Sequence, residues 1–187
     1  MRLLHGVRVR RDLRLAWYLR PLFWLQKRRW GQHLLPALSW ARIPPFYLAL
    51  VGFYAAIERK TSLLEPGVRS LVQARISQLN DCAFCIDMNS MLAAERAHSL
   101  DKALGVAEWR QNVLYSPRER LALEYAEAVT QSRVNDELAH RVKAEFSEDG
   151  MIELTGLSAF QNMSAKFNAA LDIPSQGFCQ LPERKKP

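Results

Sequence analysis

Arg75-Ile76-Ser77-Gln78-Leu79-Asn80-Asp81-Cys82-Ala83-Phe84-Cys85-Ile86-Asp87-Met88-Asn89 is the most informative stretch of the chain. Asn80-Asp81 breaks one helix, and Cys82 stands at or just before the start of the next. Free N–H groups and the partial positive charge of a helix N-terminus favour a thiolate, the nucleophilic form of cysteine. Residues three apart on a helix place their α-carbons about 5 Å from each other, within reach of a disulfide. The pair can therefore cycle between dithiol and disulfide. Asp81 opposes this locally, because a carboxylate disfavours a second negative charge beside it.

Other readings of two close cysteines compete with a redox pair. They can be inert core residues. A structural zinc needs a full ligand set, and Cys179, His98 and His140 are too scattered to complete one, so no metal site is expected. A thioredoxin motif needs a strand–helix–strand setting, which this chain lacks. No cofactor-binding motif is present either.

Outward from the cysteines the pattern is helical. Leu71-Val72-Ala74-Ile76-Leu79 and Leu121-Leu123-Tyr125-Ala126-Val129 follow three-and-four spacing, and no β-branched run is bounded by hairpin turns. The expected class is all-α. Ser116-Pro117-Arg118-Glu119 combines an N-cap serine, an early proline and a capping-box glutamate. Glu65-Pro66-Gly67, Asn135-Asp136-Glu137 and Ser147-Glu148-Asp149 mark further starts, and Pro174 follows a long final stretch from Met151 to Leu171. In that stretch Phe160, Met163 and Phe167 stripe a buried or inter-subunit face, while Trp109 and Tyr115 close a loop between helices. Phe46 to Ile57 is apolar for only twelve residues. A membrane span needs about 20, so a buried helix is expected there.

The net charge of +7 over 187 residues is unevenly placed. Through Ile57 ten Arg or Lys residues face Asp12 alone, giving +9 and leaving −2 for the remainder. Residues 1–42 thus form a basic amphipathic N-terminal extension, 43–175 a helical domain and 176–187 a C-terminal tail. Val9 to Trp30 mixes arginines with Trp17, Trp24 and leucines, and Pro21 divides it. Such a segment either packs on the core or lies on an anionic membrane surface. Nucleic acid would use the same charges but has no recognition motif here. Three cysteines and no secretory leader point to a reducing, cytoplasmic setting, with peripheral membrane attachment as the variant.

The segment Arg75 to Asn89 resembles the signature of carboxymuconolactone decarboxylase-like proteins of the alkylhydroperoxidase D type. The resemblance continues through Ser116-Pro117-Arg118-Glu119-Arg120-Leu121-Ala122-Leu123, Glu153-Leu154-Thr155-Gly156-Leu157 and Lys166-Phe167-Asn168-Ala169-Ala170. It implies an all-helical fold, homo-oligomeric assembly and reduction of hydroperoxides. On that pattern Cys85 attacks the peroxide and becomes a sulfenic acid, and Cys82 condenses with it to a disulfide. An external dithiol, a lipoyl group or a thioredoxin-like protein, then restores the pair. Lactone decarboxylation, which names the superfamily, is not associated with this cysteine pair.

Two positions depart from the pattern. The resemblance places a relay histidine where Asn89 stands and a relay glutamate where Ser70 stands. Neither replacement exchanges a proton near neutral pH, and losing such help costs about 10²–10⁴-fold. A non-catalytic or redox-sensing role is therefore the alternative to peroxidase activity. Asp87, Glu95, Glu58, Glu65 and the helix-end residue His98 are the remaining candidates for a substitute acid or base.

Overall fold

The computed structural model describes residues 15–179, and among these every regular element is helical. The basic residues Arg2, Arg8, Arg10, Arg11 and Arg14 of the extension, and residues 180–187 of the tail, lie outside the described part. A 3₁₀ turn at Trp17–Leu19 leads into α1 (Arg20–Trp30), followed by α2 (Leu35–Trp40) and α3 (Pro44–Ile57). Then come α4 (Pro66–Leu79), α5 (Ala83–Arg96), the short α6 (Leu100–Leu104), α7 (Pro117–Thr130) and α8 (Asp136–Ala170). The α6 turn and the 3₁₀ segment Gly105–Glu108 carry no clear periodic signal in the sequence.

Start signals act where the spacing places them. Ser116 accepts from the Glu119 amide while Glu119 reaches back to the Ser116 amide, a complete capping box. Asn135 caps α8. Inside α8, Ser147 leaves helical geometry at φ 68°, ψ 173°, and its Oγ accepts from the Gly150 amide at 3.2 Å. The expected start at Ser147-Glu148-Asp149 is thus a bend where one helix is recapped into the next. Pro21 marks a break within the amphipathic segment: it sits in the first turn of α1, where a missing N–H costs nothing, just after the separate 3₁₀ turn Trp17–Leu19. Gly31 ends α1 at φ 71°, a left-handed cap that glycine adopts without strain.

The helix α4 occupies the centre, packed on α5, α7 and α8. Around it lies a scaffold cluster with Leu71, Val72, Ile76, Ala93, Leu123, Tyr125, Leu154 and Leu157 at its heart. A second cluster joins Leu19, Phe23, Leu35, Leu38 and Tyr47 from the N-terminal helices to Cys82, Phe84, Cys85, Met88 and Leu92. Phe23 stacks on Tyr47 at 5.1 Å between ring centres, and Trp40 stacks on Phe167 at 3.7 Å. The described part of residues 1–42 therefore packs on the cysteine helix.

One burial expectation is corrected. The apolar helix α3 is not buried: only Tyr47 and Ile57 are covered, while Phe46, Leu48 and Phe53 are about half exposed. Its hydrophobicity runs all around the helix, but the chain offers neighbours on one side only. On α8, Met163 is 47% exposed, whereas Phe160 is buried and Phe167 half-buried beneath Trp40. No helix among the described residues is long and apolar enough to cross a membrane.

Candidate active site

Cys82 is the N-cap residue of α5, and its Sγ accepts from the Cys85 amide at 3.2 Å. The left-handed conformation of Asp81, φ 49°, turns the chain between α4 and α5 so that both cysteines enter the core. Their α-carbons lie 5.2 Å apart and the sulfurs are joined as a disulfide. Cys82 is fully buried and Cys85 nearly so, at 3% exposure. The two differ in what they face. Cys85 lines a cleft of about 380 Å³, and Cys82 does not.

Neutral amides and a hydroxyl surround the closed end of that cleft. Asn168 of α8 donates from Nδ2 to Cys85 Sγ at 3.3 Å, and its own Oδ1 is buried with no partner. Ser77 Oγ accepts from Asn89 Nδ2 at 2.9 Å and from Gln161 Nε2 at 3.1 Å, and donates to the Gln73 carbonyl at 2.6 Å. When the disulfide is reduced, an amide donor on Cys85 favours its thiolate. No group of this cage can supply or remove a proton near neutral pH.

The two relay-position residues are not brought together. Asn89 lines the cleft one turn beyond Cys85, while Ser70 is fully buried and accepts from Arg96 Nη1 at 3.3 Å. Arg96 also pairs with Glu58 at 2.9 Å, and Glu58 stands 3.6 Å from Arg69. Glu58 is thus engaged by two arginines. Glu65 pairs with Arg118, and Glu95 and His98 lie apart from the cysteines in the exposed groove near Arg118. Asp87 serves the architecture instead, since its carboxylate accepts from the backbone amides of Gln176, Gly177 and Cys179 at 2.7–2.8 Å.

That clip holds the C-terminal tail against the cysteine helix. Gln176 accepts from the Leu35 amide at 2.7 Å and donates to the His33 carbonyl at 3.0 Å, tying the α1–α2 loop to the tail. The walls of the cleft are Leu22, Trp30, Trp40, Tyr47, Phe84 and Met88, drawn from α1, α2, α3 and α5. Burial pushes the Tyr47 hydroxyl above its ordinary range, which keeps it neutral. The C-terminal Cys179, a free thiol, is likewise raised by burial and by Asp87. Among the described residues no cluster of His, Cys, Asp and Glu could hold a metal ion.

Residues 44–128, which carry α3, α4, the cysteine motif and most of α7, match the model of the carboxymuconolactone decarboxylase family. The uncharacterized protein YnjA of Escherichia coli K12 is 51% identical over 169 residues, covering 89% of this chain and 93% of YnjA. The chain belongs to the carboxymuconolactone decarboxylase family. Among solved structures the fold is shared with the alkylhydroperoxidase AhpD core of a peroxidase-related protein from Ralstonia eutropha JMP134. That match has a TM-score of 0.81 at 18% identity and covers 94% of each chain. The debrominase Bmp8 has the same fold at a TM-score of 0.75 and 20% identity, over 87% of this chain and 88% of Bmp8. The family match ends before α8, which supplies Gln161 and Asn168 to the cysteine site.

Sequence reasoning missed Ser77, Gln161 and Asn168 as site residues. A signal existed for the amides: Leu154, Leu157, Gln161, Ala165 and Asn168 form one buried face of α8, and two amides interrupt an apolar stripe. Such residues need partners when buried, and the partners lie at the cysteines.

Proposed function

We propose that this family member is a thiol-dependent peroxidase that reduces organic hydroperoxides through Cys85 and Cys82. One observation carries the reading: a disulfide-capable pair, one turn apart, with Cys85 alone at the closed end of an apolar cleft. In the reduced enzyme the Cys85 thiolate attacks the outer oxygen of R–O–O–H. The S–O bond forms, the O–O bond breaks, and the alkoxide leaves and takes a proton to become the alcohol. Cys85 is then a sulfenic acid. The Cys82 thiol attacks its sulfur, and the hydroxyl departs as water with the thiol proton. An external dithiol, such as a lipoyl group or a thioredoxin-like protein, returns two electrons and two protons.

Asn168 would hold the thiolate, and solvent or the substrate pair would carry the protons that a histidine–glutamate relay otherwise handles. Turnover is therefore expected to be slow, by about 10²-fold or more, relative to a site with such a relay. The test is dithiol-dependent consumption of cumene hydroperoxide. Cys85→Ser should abolish it, and Cys82→Ser should allow one oxidation without turnover. Equal rates for wild type and Cys85→Ser would remove the peroxidase reading and favour a redox-sensing role, checked by thiol labelling of the pair before and after peroxide.

The cleft's aromatic walls favour a second reading, in which the dithiol removes bromide from an aromatic ring, the kind of reaction for which the debrominase Bmp8 is named. Two thiols and Ar–Br then yield a disulfide, Ar–H and HBr; bromide release is the discriminating assay. The half-exposed Phe46, Leu48 and Phe53 on α3 support homo-oligomeric assembly through that helix. Exposed Trp17, Trp24 and Leu25 beside Arg20, Lys27 and Arg28 support peripheral contact with an anionic membrane from a cytoplasmic position.

A further inference from the structure

The cleft above Cys85 is two-ended. At its closed end lie Cys85, Asn168, Asn89 and Met88, each less than a tenth exposed. At its open end lie the exposed residues Leu25, Arg29 and Tyr54. Between the ends the lining is aromatic and aliphatic, and its volume of about 380 Å³ falls within the range of about 300–1,000 Å³ common for small-molecule sites.

Among all the described lining residues Arg29 is the single charged group, and no carboxylate accompanies it. Its guanidinium carbon lies 4.8 Å from the centre of the Trp30 ring, a neighbour in the same lining that takes up none of its N–H donors through an oxygen. Among the described residues no salt bridge or side-chain hydrogen bond engages it. By contrast, the arginines of the scaffold are paired: Arg75 with Glu127, Arg96 with Glu58, Arg118 with Glu65 and Glu145. A cation at an apolar mouth gains most from an anion that can take two of its N–H bonds at once.

We propose that the cleft binds an amphipathic monocarboxylate, with its acid group on Arg29, its hydrocarbon body between Trp30, Trp40 and Met88, and its far end at Cys85. This deepens the peroxidase reading and rests on it for the chemistry at Cys85: the substrate becomes a hydroperoxide of an organic acid. Gln26, one turn before Arg29 on the same lining, supplies a neutral second donor to the acid group. The unpartnered Asn168 Oδ1 is then the acceptor for the hydroperoxide O–H at the other end. One amide would thereby hold the attacked oxygen and the attacking sulfur together.

Binding is separable from turnover. Isothermal titration of the full-length Cys85→Ser protein with decanoate and with decanol measures the site without any redox step. Wild-type cleft geometry predicts decanoate binding about fivefold tighter than decanol, the fold-change of a well-aligned ion pair at a solvent-exposed mouth. Arg29→Gln in the same background should bring decanoate down to the decanol affinity while decanol itself still binds, which also reports that the cleft is intact. Arg29→Lys should fall between the two, because lysine keeps the charge and loses the paired geometry. Equal affinity for the two ligands, a gap that survives Arg29→Gln, or no binding of either ligand would each overturn the proposal. A loss of peroxide consumption with this binding pattern intact would instead count against the peroxidase reading alone.

Discussion

The two hydrophobic clusters of this molecule are built by different rules. The scaffold cluster runs in sequence order from Ile57 at the end of α3 through α8, and its buried charges Arg69 and Glu127 both have ion-pair partners, although Arg69 Nε itself has none. Glu127 is held by Arg75, Arg110 and Trp109. The cysteine cluster gathers α1, α2, α3, α5, the end of α8 and the tail, so its members are far apart along the chain. It contains the disulfide, the unpartnered buried atoms His33 Nδ1, Trp40 Nε1 and Asn168 Oδ1, and an apolar cleft. Unpartnered buried atoms also occur on the scaffold helix α4, at Arg69 Nε and Gln73 Oε1, but the cysteine half sets its own beside a disulfide and an apolar cleft. That placement is common where a site must hold substrate in place of its own side chains.

The largest effect tests whether the N-terminal helices belong to the cysteine half. Phe23 is 1% exposed, stacked on Tyr47 and edge-on to His33. Phe23→Ala should cost about 4 kcal/mol, the usual range for emptying a buried aromatic site. At roughly 2–4 °C per kcal/mol for a chain of this size, the melting temperature should fall steeply while unfolding stays a single transition. Calorimetry showing an early N-terminal transition and an unmoved main one would separate α1 and α2 from the cysteine helix.

The next effect belongs to the scaffold. Burial alone would raise the Glu127 carboxyl, but hydrogen bonds from Trp109, Arg110 and Arg75 together hold it below its ordinary value. A carboxylate with a lowered folded-state value stabilises the fold in full above its unfolded value and loses that contribution as pH falls through the lowered one. Glu127→Gln should therefore destabilise by about 3 kcal/mol at neutral pH, as breaking a buried ion pair does. The gap to wild type should narrow only below pH 4.5, the unfolded reference for glutamate. A pH-independent gap in denaturant melts would mean that packing, not charge, is what Glu127 contributes.

These halves also differ in how far the sequence exposed them. The scaffold was legible because its signals are local: caps at Ser116 and Asn135, a proline at Pro66, three-and-four spacing on α4 and α7. The cysteine turn was legible for the same reason, since Asn80-Asp81 and the Cys82 cap lie side by side. The cleft was not. Its α1 and α2 walls are tied to the cysteine helix through a tail whose Gln176, Gly177 and Cys179 amides reach the Asp87 carboxylate, and amide donors of an irregular tail leave no pattern. Nor could periodicity show that α3 lacks a cover on most sides, because hydrophobicity reports a demand for burial and not whether the chain meets it.

Ser77 lies on the seam between the halves, and it offers the smallest and most discriminating test. Its hydroxyl is fully buried on α4, the central scaffold helix, yet it receives the amides of Asn89 and Gln161, which both line the cleft. Ser77→Ala leaves two buried donors unpaired, for a cost of about 2 kcal/mol. If Ser77 acts through those amides, the loss should not add to that of Asn89→Ala: a double-mutant cycle should return a coupling of about 1 kcal/mol. The Ser77→Ala protein should also show altered labelling kinetics at Cys85, one turn from Asn89, while a scaffold variant of equal cost such as a truncated Val72 should not. Strict additivity with unchanged Cys85 kinetics would show that α4 supports the site only by position, and that the amide cage is anchored from α8 alone.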